Sequence, residues 1–352
     1  MKKYQVIIAG AGPAGSACAK ALKEEGIHPL IIEKYKLPRH KTCSGVLFGQ
    51  TQVLLKKYFG QLPPKSVYCR PEIIKASDIQ EWNRQKGFFN YTWELPKATQ
   101  SFPTDYQNIW RDKFDYWLLK QSGAEYIESC SLRSFSADSD KVKVEVLHKN
   151  KTCQELNCSY LIGADGGNSQ VRRLLDPSWS KNNPEVMVFQ AYCRFSDRGS
   201  LKAGSWNLFF EPDICDTLCS IHSKDDFLTV CVGGFKGQNL KDSMETFKKF
   251  LSDNFNVAFE KEERVEGCTL RPSLPDLGSE RVILTGEAAG FMYLNGEGIS
   301  AAIDSGYRAG KAVSKAIKED GSAAAIYREE TNDILDHINV CLEKMHFFTN
   351  AP

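Results

Sequence analysis

A glycine-rich turn near the start of the chain restricts its fold more than any other part of the sequence. It joins a β-rich run at residues 4–9 to a helical run at residues 13–25, which carries small residues on one face. The first glycine permits a tight turn, the second lets the backbone approach a pyrophosphate, and the third lets the helix pack closely against the strand. Free N–H groups at the start of the helix favour phosphate oxygens. The residues of this turn are Gly10, Ala11, Gly12, Pro13, Ala14 and Gly15.

An acidic residue completes this opening unit. A second apolar run at residues 29–32 ends at Glu33, about 20 residues after the glycine turn, where a carboxylate accepts hydrogen bonds from ribose hydroxyls. Strand, glycine turn, helix, strand and terminal acid together predict a βαβ unit that binds a dinucleotide, either NAD or FAD. Lys34 and Arg39, in the loop that follows, are further candidate cofactor contacts.

Charge and length argue against several classes of protein. The 352 residues carry 45 basic and 44 acidic side chains, so the net charge of +1 predicts no nucleic-acid partner. No apolar run reaches the roughly 20 residues of a membrane span, and no signal peptide is evident, so we expect a cytoplasmic protein. Because no secretion signal is evident, the 12 cysteines are expected to be reduced thiols. Cys215 and Cys219 lack the further ligands of a metal site, so no metal is expected.

Two later glycine segments carry a family resemblance. Residues 161–172, which include Leu-Ile-Gly-Ala-Asp-Gly-Gly-Asn-Ser, resemble the "DG" segment of flavoprotein monooxygenases and geranylgeranyl reductases. Residues 283–291 and 295–299 resemble their "GD" segment, with Glu287 in place of the usual aspartate. The resemblance implies that the dinucleotide is FAD and that Glu287 accepts a hydrogen bond from its ribityl chain.

Among these families the chain is most similar to the geranylgeranyl reductases. Residues 41–45, Lys-Thr-Cys-Ser-Gly, resemble the cysteine–glycine turn beside the flavin ring of that family, and residues 108–115 resemble its Arg-x-x-Phe-Asp helix start. The resemblance implies an α/β fold class. We expect a Rossmann-like FAD-binding domain of the aromatic hydroxylase and geranylgeranyl reductase type, with an inserted mixed β-sheet substrate domain and C-terminal helices.

Several residues of these segments have more than one candidate role. Arg111 either contacts the cofactor or forms a surface ion pair with Asp112 or Asp115. Asp165 either contacts the ribityl chain or the first glycine turn, or only forms a turn before a glycine. Cys43 could tune the flavin, protonate a product carbon or fill space, because the reactivity of a thiol depends on a lowered pKa.

The last glycine segment precedes a long helix. The helix N-terminus, from Gly296 to Ile299, is predicted to face the pyrimidine edge of the flavin, where its dipole would stabilise the reduced ring. Cys43 and Gly296 are therefore the candidate catalytic positions. The remaining candidate cofactor contacts in these segments are Ser44, Gly45, Gly286, Gly290, Gly298 and Ile299.

The parts of the nucleotide-binding domain are spread along the chain. The expected division is a discontinuous FAD-binding domain at 1–66, 107–180 and 265–320, a substrate-binding sheet at 67–106 and 181–264, and a C-terminal helix at 321–352. This last helix is expected to pack on the nucleotide domain, or else to act as a hydrophobic lid or a peripheral membrane contact.

Aromatic residues on strands of the substrate sheet are candidate walls of a pocket, although each also suits a buried sheet face. They are Phe189, Tyr192, Trp206, Phe209 and Phe210. His222 is either a proton donor near the substrate or a strand residue that faces solvent, and we favour the second interpretation.

The resemblance implies a reductase or dehydrogenase that acts on carbon–carbon double bonds by hydride transfer at flavin N5. Its substrate would be small and apolar, isoprenoid-like or another organic molecule, and its electron donor NAD(P)H or ferredoxin. An aromatic-type monooxygenase and a flavin-bound protein without catalysis are alternatives. The aromatic substrate motif of the family is matched by residues 91–97, ahead of the DG segment, whereas residues 220–224 stand at its usual place. This departure argues against a long isoprenoid.

Overall fold

The computed structural model describes residues 3–75, 79–83, 87–89, 105–179, 185–293 and 296–349, which form two large sheets, one small sheet and surrounding helices. The strands are β1 (Lys3–Ala9), β2 (Leu30–Ile32), β3 (Val46–Leu47), β4 (Tyr68–Lys75), β5 (Ile79–Asn83), β6 (Gly87–Phe89), β7 (Asp105–Ile109), β8 (Glu125–Ile127), β9 (Cys130–Ala137), β10 (Val142–His148), β11 (Cys153–Gly163), β12 (Val186–Asp197), β13 (Trp206–Phe209), β14 (Cys219–Lys224), β15 (Phe227–Phe235), β16 (Ala258–Leu270) and β17 (Val282–Leu284). The helices are α1 (Pro13–Glu24), α2 (Gly49–Phe59), α3 (Arg111–Ser122), α4 (Gln170–Leu175), α5 (Leu240–Phe255), α6 (Ile299–Glu319), α7 (Ala323–Glu330) and α8 (Asn332–Thr349).

The first sheet is built on parallel strands of apolar residues. Its order is β8-β2-β1-β11-β10-β9, and β17 also pairs with β11. Ile8 of β1 aligns with Ile31 of β2 and with Ile162 of β11, which itself aligns with Ile283 of β17. All four side chains are buried, as is typical of parallel strands covered on both faces. β1, β11 and β17 therefore end side by side at one edge of the sheet.

Helices α1 and α6 touch along small residues. A Cβ at Gly306 would overlap the backbone of Ala14, and a Cβ at Gly310 would approach the backbone of Cys18. Glycines at these positions let the two helix backbones come close together. The contact fixes the glycine turn before α1 relative to the last glycine segment, which precedes α6.

The second sheet has one face covered by a helix and the other packed against the small sheet. Its order is β16-β12-β15-β14-β13-β5-β6, with every pair antiparallel except β13 and β5. Ile221 and Val230 pack with Phe247 of α5 in one apolar cluster. On the opposite face, the side chain of Lys224 of β14 donates to Asn108 Oδ1 of the small sheet β3-β7-β4 at 3.1 Å. Successive side chains of β14 thus contact elements on opposite faces of the sheet.

Most of the predicted elements are confirmed. The helix predicted to begin near residue 111 is α3, and the long helix predicted after Gly296 is α6. The single C-terminal helix is wrong, because α7 and α8 separate at Thr331, whose hydroxyl donates to the Tyr327 carbonyl at 2.6 Å. Ile334 and Ile338 of α8 are buried in the core of the first sheet, as the packing interpretation expects.

The domain borders stay a prediction. The small sheet joins residues 46–47, 68–75 and 105–109, so the expected borders after residues 66 and 106 cut through it. The aromatic motif at residues 91–97 lies outside the described residues.

Candidate functional site

Three glycine segments meet at one edge of the first sheet. β1, β11 and β17 are parallel neighbours, so their carboxyl ends lie together, which is where open α/β sheets bind ligands. The Ala164 N–H donates to the Ala9 carbonyl at 2.8 Å, and the Thr285 N–H donates to the Gly163 carbonyl at 3.0 Å. The strand ends are therefore joined into one continuous surface.

The first glycine turn has the geometry that the sequence predicts. Gly10 has φ +106°, and a Cβ there would overlap the Ala164 carbonyl, while a Cβ at Gly15 would overlap the Gly10 carbonyl. Among described atoms, a Cβ at Gly12 would meet only Arg39, at 3.5 Å from Nη2. Because this same glycine is the N-cap of α1, no side chain of the N-cap residue covers the helix start. The surface above it is open to an anionic ligand.

Glu33 stands at the edge of this surface and is 3% exposed. Its Oε2 accepts from the Ala11 N–H at 3.0 Å, its Oε1 accepts from the Tyr35 N–H at 3.1 Å, and Arg39 Nε lies 3.3 Å from Oε2. The carboxylate is held in place and keeps acceptor capacity on Oε1 for a ribose hydroxyl. Lys34 is exposed instead, with its ammonium 4.9 Å from the centre of the Tyr35 ring.

A buried carboxylate joins two arginines. Asp115 accepts two hydrogen bonds from Arg111, at 3.0 and 3.1 Å, and a third from Arg39 Nη1 at 3.0 Å. Arg111 is 4% exposed and Asp115 1%, so the ion pair with Asp115 lies inside the protein. The alternative of a surface ion pair is therefore wrong about its place. Burial opposes ionisation of Asp115, but the two guanidinium groups hold its pKa below the ordinary value.

Cys43 lies beside the guanidinium of Arg111. The Gly45 N–H donates to its sulfur at 3.3 Å, and Arg111 is also within hydrogen-bonding reach. Burial disfavours the thiolate, but the charge of Arg111, the Gly45 N–H and Lys41 outweigh it and lower the pKa of Cys43. A lowered pKa distinguishes reactive cysteines from inert buried ones.

The backbone of the Cys43 turn rests on two basic side chains of β14. The Ser44 carbonyl accepts hydrogen bonds from Lys224 Nζ at 2.7 Å and from His222 Nε2 at 3.1 Å. Lys224 also donates to Asn108 Oδ1 at 3.1 Å. His222 is 2% exposed, so the interpretation of this residue as solvent-facing is wrong. The reason is that its face of the sheet packs against the Cys43 turn.

Burial lowers the pKa of both side chains. It lowers the pKa of Lys224, and the nearby thiols of Cys69 and Cys43 oppose this shift. Burial and then Lys224 lower the pKa of His222 to about 3, so its imidazole is neutral at neutral pH. Because Nε2 carries the proton that binds Ser44, Nδ1 is an acceptor, and it has no hydrogen-bond partner among the described residues.

Aromatic side chains share this face of the second sheet. Tyr192 of β12 stacks on Trp110 with 5.7 Å between ring centroids, and Trp206 of β13 lies 6.1 Å from Phe48. Gln190 Nε2 donates to Tyr192 Oη at 2.9 Å. Two of the five predicted wall residues are therefore on the side of the Cys43 turn.

Phe209 and Phe189 are on the other face, so their assignment to the pocket wall is wrong. The Phe209 ring lies 5.2 Å from Phe247 of α5, and Phe189 packs against the same cluster. Strand side chains alternate with a period of two, and Phe209 is an odd number of positions from Trp206. Phe210 follows β13 and is half-buried.

Glu287 lies where the Cys43 turn approaches the last glycine segment. Gly286 has φ +61° and begins a 3₁₀ turn, Gly286–Ala289, that packs against α1. The ammonium of Lys41 lies 3.3 Å from Glu287 Oε2. A second carboxylate is thus present at the sheet edge, on the side away from Glu33.

An acidic side chain caps the start of α6, the helix end that is predicted to face the flavin. Glu297 Oε1 accepts hydrogen bonds from the N–H groups of Ile299 at 3.1 Å and Ser300 at 2.9 Å, and Ser300 Oγ donates to Oε2. An acidic cap therefore occupies this helix end, and a ligand beside Gly296 would share or displace it. Burial raises the pKa of Glu297, although these hydrogen bonds oppose the shift.

Asp165 has a similar capping role. Its carboxylate accepts from Ser169 Oγ at 2.5 Å and from the N–H groups of Gln170 at 2.6 Å and Val171 at 3.2 Å. These donors belong to the start of α4, so the side chain acts within its own turn. Of the roles considered from sequence, the structure supports turn formation.

The described residues fit a dinucleotide. The uncovered start of α1 suits a pyrophosphate, Glu33 suits a ribose, and the surface continues towards Glu287 and Cys43. Within the described ranges, no group of three or more His, Cys, Asp or Glu side chains could hold a metal ion. Nor is any described helix long and apolar enough to cross a membrane.

Comparison with known proteins agrees with this geometry. A family model described as "FAD binding domain" matches residues 3–57 and 89–259. An uncharacterized protein of Methanosarcina barkeri is 29% identical over 334 residues, 90% of this chain and 76% of that protein. Protein CbrA of Escherichia coli is 28% identical over 315 residues, 87% and 80% of the two chains. A geranylgeranyl bacteriochlorophyll reductase-like protein of Thermoplasma acidophilum has the same fold, with TM-score 0.79, 18% identity and coverage of 96% and 84%.

Proposed function

Because this chain belongs to the FAD-binding domain family, we propose that it binds FAD at the edge of the first sheet and reduces a carbon–carbon double bond of a small apolar molecule. As a member of that family it is an FAD-dependent oxidoreductase. The observation that carries the finer proposal is the place of the Cys43 turn. This turn lies between the joined glycine segments and the aromatic face of the second sheet.

Each part of the cofactor has a matching group. The start of α1 and Arg39 would bind the pyrophosphate, and Glu33 would bind the adenosine ribose. Glu287 with Lys41 would bind the ribityl chain, and the Cys43 turn would lie against the ring. When bound, FAD supplies two-electron redox chemistry at that ring.

The aromatic face would bind the substrate. Trp110, which stacks on the buried Tyr192, and Trp206 are half-buried and offer apolar surface, so a substrate bound there would lose contact with water. Reduction of a double bond needs a proton in addition to what the reduced cofactor delivers. We assign this proton to Cys43 Sγ, whose pKa is lowered, with Arg111 stabilising the thiolate that remains.

The test is anaerobic. Protein purified with FAD is reduced with dithionite and mixed with farnesol or 2-cyclohexenone while the flavin absorbance is followed. We expect reoxidation without oxygen and a saturated product. Cys43→Ala should slow this reaction by about 10²–10⁴-fold while the protein keeps its flavin. Cys130→Ala, at a buried cysteine of β9, is the control and should react at the native rate.

Two results would contradict the proposal at different levels. A protein that is colourless as purified and does not bind added FAD would refute the cofactor assignment. The reduced protein could instead fail to react with farnesol and 2-cyclohexenone without oxygen, but insert an oxygen atom into an aromatic substrate in air. That result would identify a monooxygenase.

A further inference from the structure

Two buried cysteines touch on the far face of the second sheet. Cys215 Sγ and Cys219 Sγ are 3.1 Å apart, and the residues are 1% and 0% exposed. Both belong to the apolar cluster under α5, on the face opposite to His222. We propose that this pair is a second redox site, which forms a reversible disulfide between Cys215 and Cys219.

The surroundings of the two sulfurs assign them different roles. Cys215 Sγ is hydrogen-bonded by Cys219 and by the backbone N–H groups of Thr217 and Gly233. The Cys219 hydrogen bond and these N–H groups lower the pKa of Cys215 against the effect of burial, whereas donation to Cys215 and burial raise the pKa of Cys219. Cys215 is therefore the attacking sulfur and Cys219 the resolving one.

Access to the pair is through one loop. Cys215 lies between β13 and β14, and its neighbours Asp213 and Asp216 are exposed. Opening of this short segment brings Cys215 to the surface without unfolding the sheet. Cys219 is the first residue of β14, the strand that also carries His222 and Lys224.

The oxidant is a low-molecular-weight disulfide. The Cys215 thiolate attacks one of its sulfurs, the S–S bond of the reagent breaks, and one thiol leaves with a proton. Cys219 then gives up its proton and attacks the Cys215 sulfur of the mixed disulfide, which releases the second thiol. Two electrons pass from the cysteine pair to the reagent, and one S–S bond replaces another.

The experiment uses the flavin-loaded full chain and oxidised glutathione. Protein reduced with dithiothreitol is desalted, oxidised, quenched in acid, denatured and alkylated with iodoacetamide before digestion with trypsin. Residues 203–224 form one tryptic peptide that contains Cys215 and Cys219 and no other cysteine. We expect this peptide to escape alkylation, to become about 2 Da lighter and to recover both thiols with dithiothreitol.

Variants separate the two roles. Cys219→Ser should accumulate a glutathione adduct on Cys215, whereas Cys215→Ser should form none on Cys219. Cys193→Ser, at another buried cysteine of the same cluster, should oxidise like the native protein. The proposal is overturned if the native peptide takes up two alkyl groups after oxidation, or if the disulfide forms only once the protein is denatured. The alkylation state of this peptide in the unmutated protein tests the proposal even if a variant fails to fold.

Discussion

Lys224 donates a hydrogen bond to the Ser44 carbonyl at 2.7 Å from a side chain that is only 1% exposed. It also donates to the neutral oxygen of Asn108, at 3.1 Å, and a Cβ at Gly45 would lie 2.5 Å from its ammonium. The ammonium therefore fills the space under the Cys43 turn. Burial of a charge is costly, so this contact has to be well made to persist.

Replacing Lys224 by methionine should loosen the Cys43 turn. Asn108 Oδ1 would lose a donor and Ser44 would keep only that of His222, so we expect the free energy of unfolding to fall by about 1–3 kcal/mol. The affinity for FAD should fall as well. Urea unfolding and FAD titration measure both, with Lys236→Met, at a side chain 76% exposed, as the matched control. Equal behaviour of the two variants would contradict a positioning role.

His222 should make stability depend on pH. Its folded pKa of about 3 is below the ordinary value of 6.5, so the unfolded chain binds the extra proton between these values. Stability therefore rises with pH across this window, and acidification from pH 6.5 to 3 should cost about 3–5 kcal/mol through this residue.

The measurement is urea unfolding at several pH values between 3 and 7. His222→Gln should show a smaller loss of stability on acidification than the native protein. His28→Gln, at an exposed histidine, is the control and should follow the native curve. An unchanged slope in His222→Gln would argue against a neutral buried imidazole.

Arg111→Met should separate ion pairing from thiol chemistry. Loss of the guanidinium leaves Asp115 buried with Arg39 alone and should cost about 3–5 kcal/mol of stability. The pKa of Cys43 should rise, so the pH profile of its alkylation by iodoacetamide should move to higher pH. Arg133→Met is the control: this side chain is 58% exposed and pairs with Glu145 at the surface, so its loss should leave stability nearly unchanged and the alkylation profile in place.

Alanine substitutions at two glycines of the first turn should have different effects, one on stability and one on FAD affinity. Gly10→Ala forces a side chain into the Ala164 carbonyl at φ +106° and should cost at least about 2 kcal/mol of stability. In Gly12→Ala the new methyl group meets, among the described atoms, only Arg39 at 3.5 Å, so the protein should fold normally but bind FAD weakly, because the methyl group lies where the pyrophosphate would approach.

Thermal unfolding of the apoprotein and FAD titration distinguish the two outcomes. Gly26→Ala is the control for the backbone effect, since this glycine has φ +79° and nothing described lies within 4 Å of an added Cβ. Normal FAD affinity in Gly12→Ala would show that the pyrophosphate does not pass over this residue.

Local sequence was sufficient for the nucleotide-binding half. The βαβ opening follows from residues close in the chain, because a tight turn, a helix start and a strand end each depend on their immediate neighbours. The same holds for Glu33, whose distance from the turn places it at the end of β2. These features together predicted a dinucleotide-binding βαβ unit at one edge of a parallel sheet, whereas the choice of FAD depended on the resemblance carried by the two later glycine segments.

Tertiary structure decided which side chains face that edge. His222 reads as a solvent-facing strand residue, and only the packing of β14 against the Cys43 turn buries it together with Lys224. Phe209 reads as a pocket wall, but the register of β13 directs it to α5. The face of a strand and the partner of a buried charge depend on contacts between residues far apart in the chain, and such contacts leave no local pattern in the sequence.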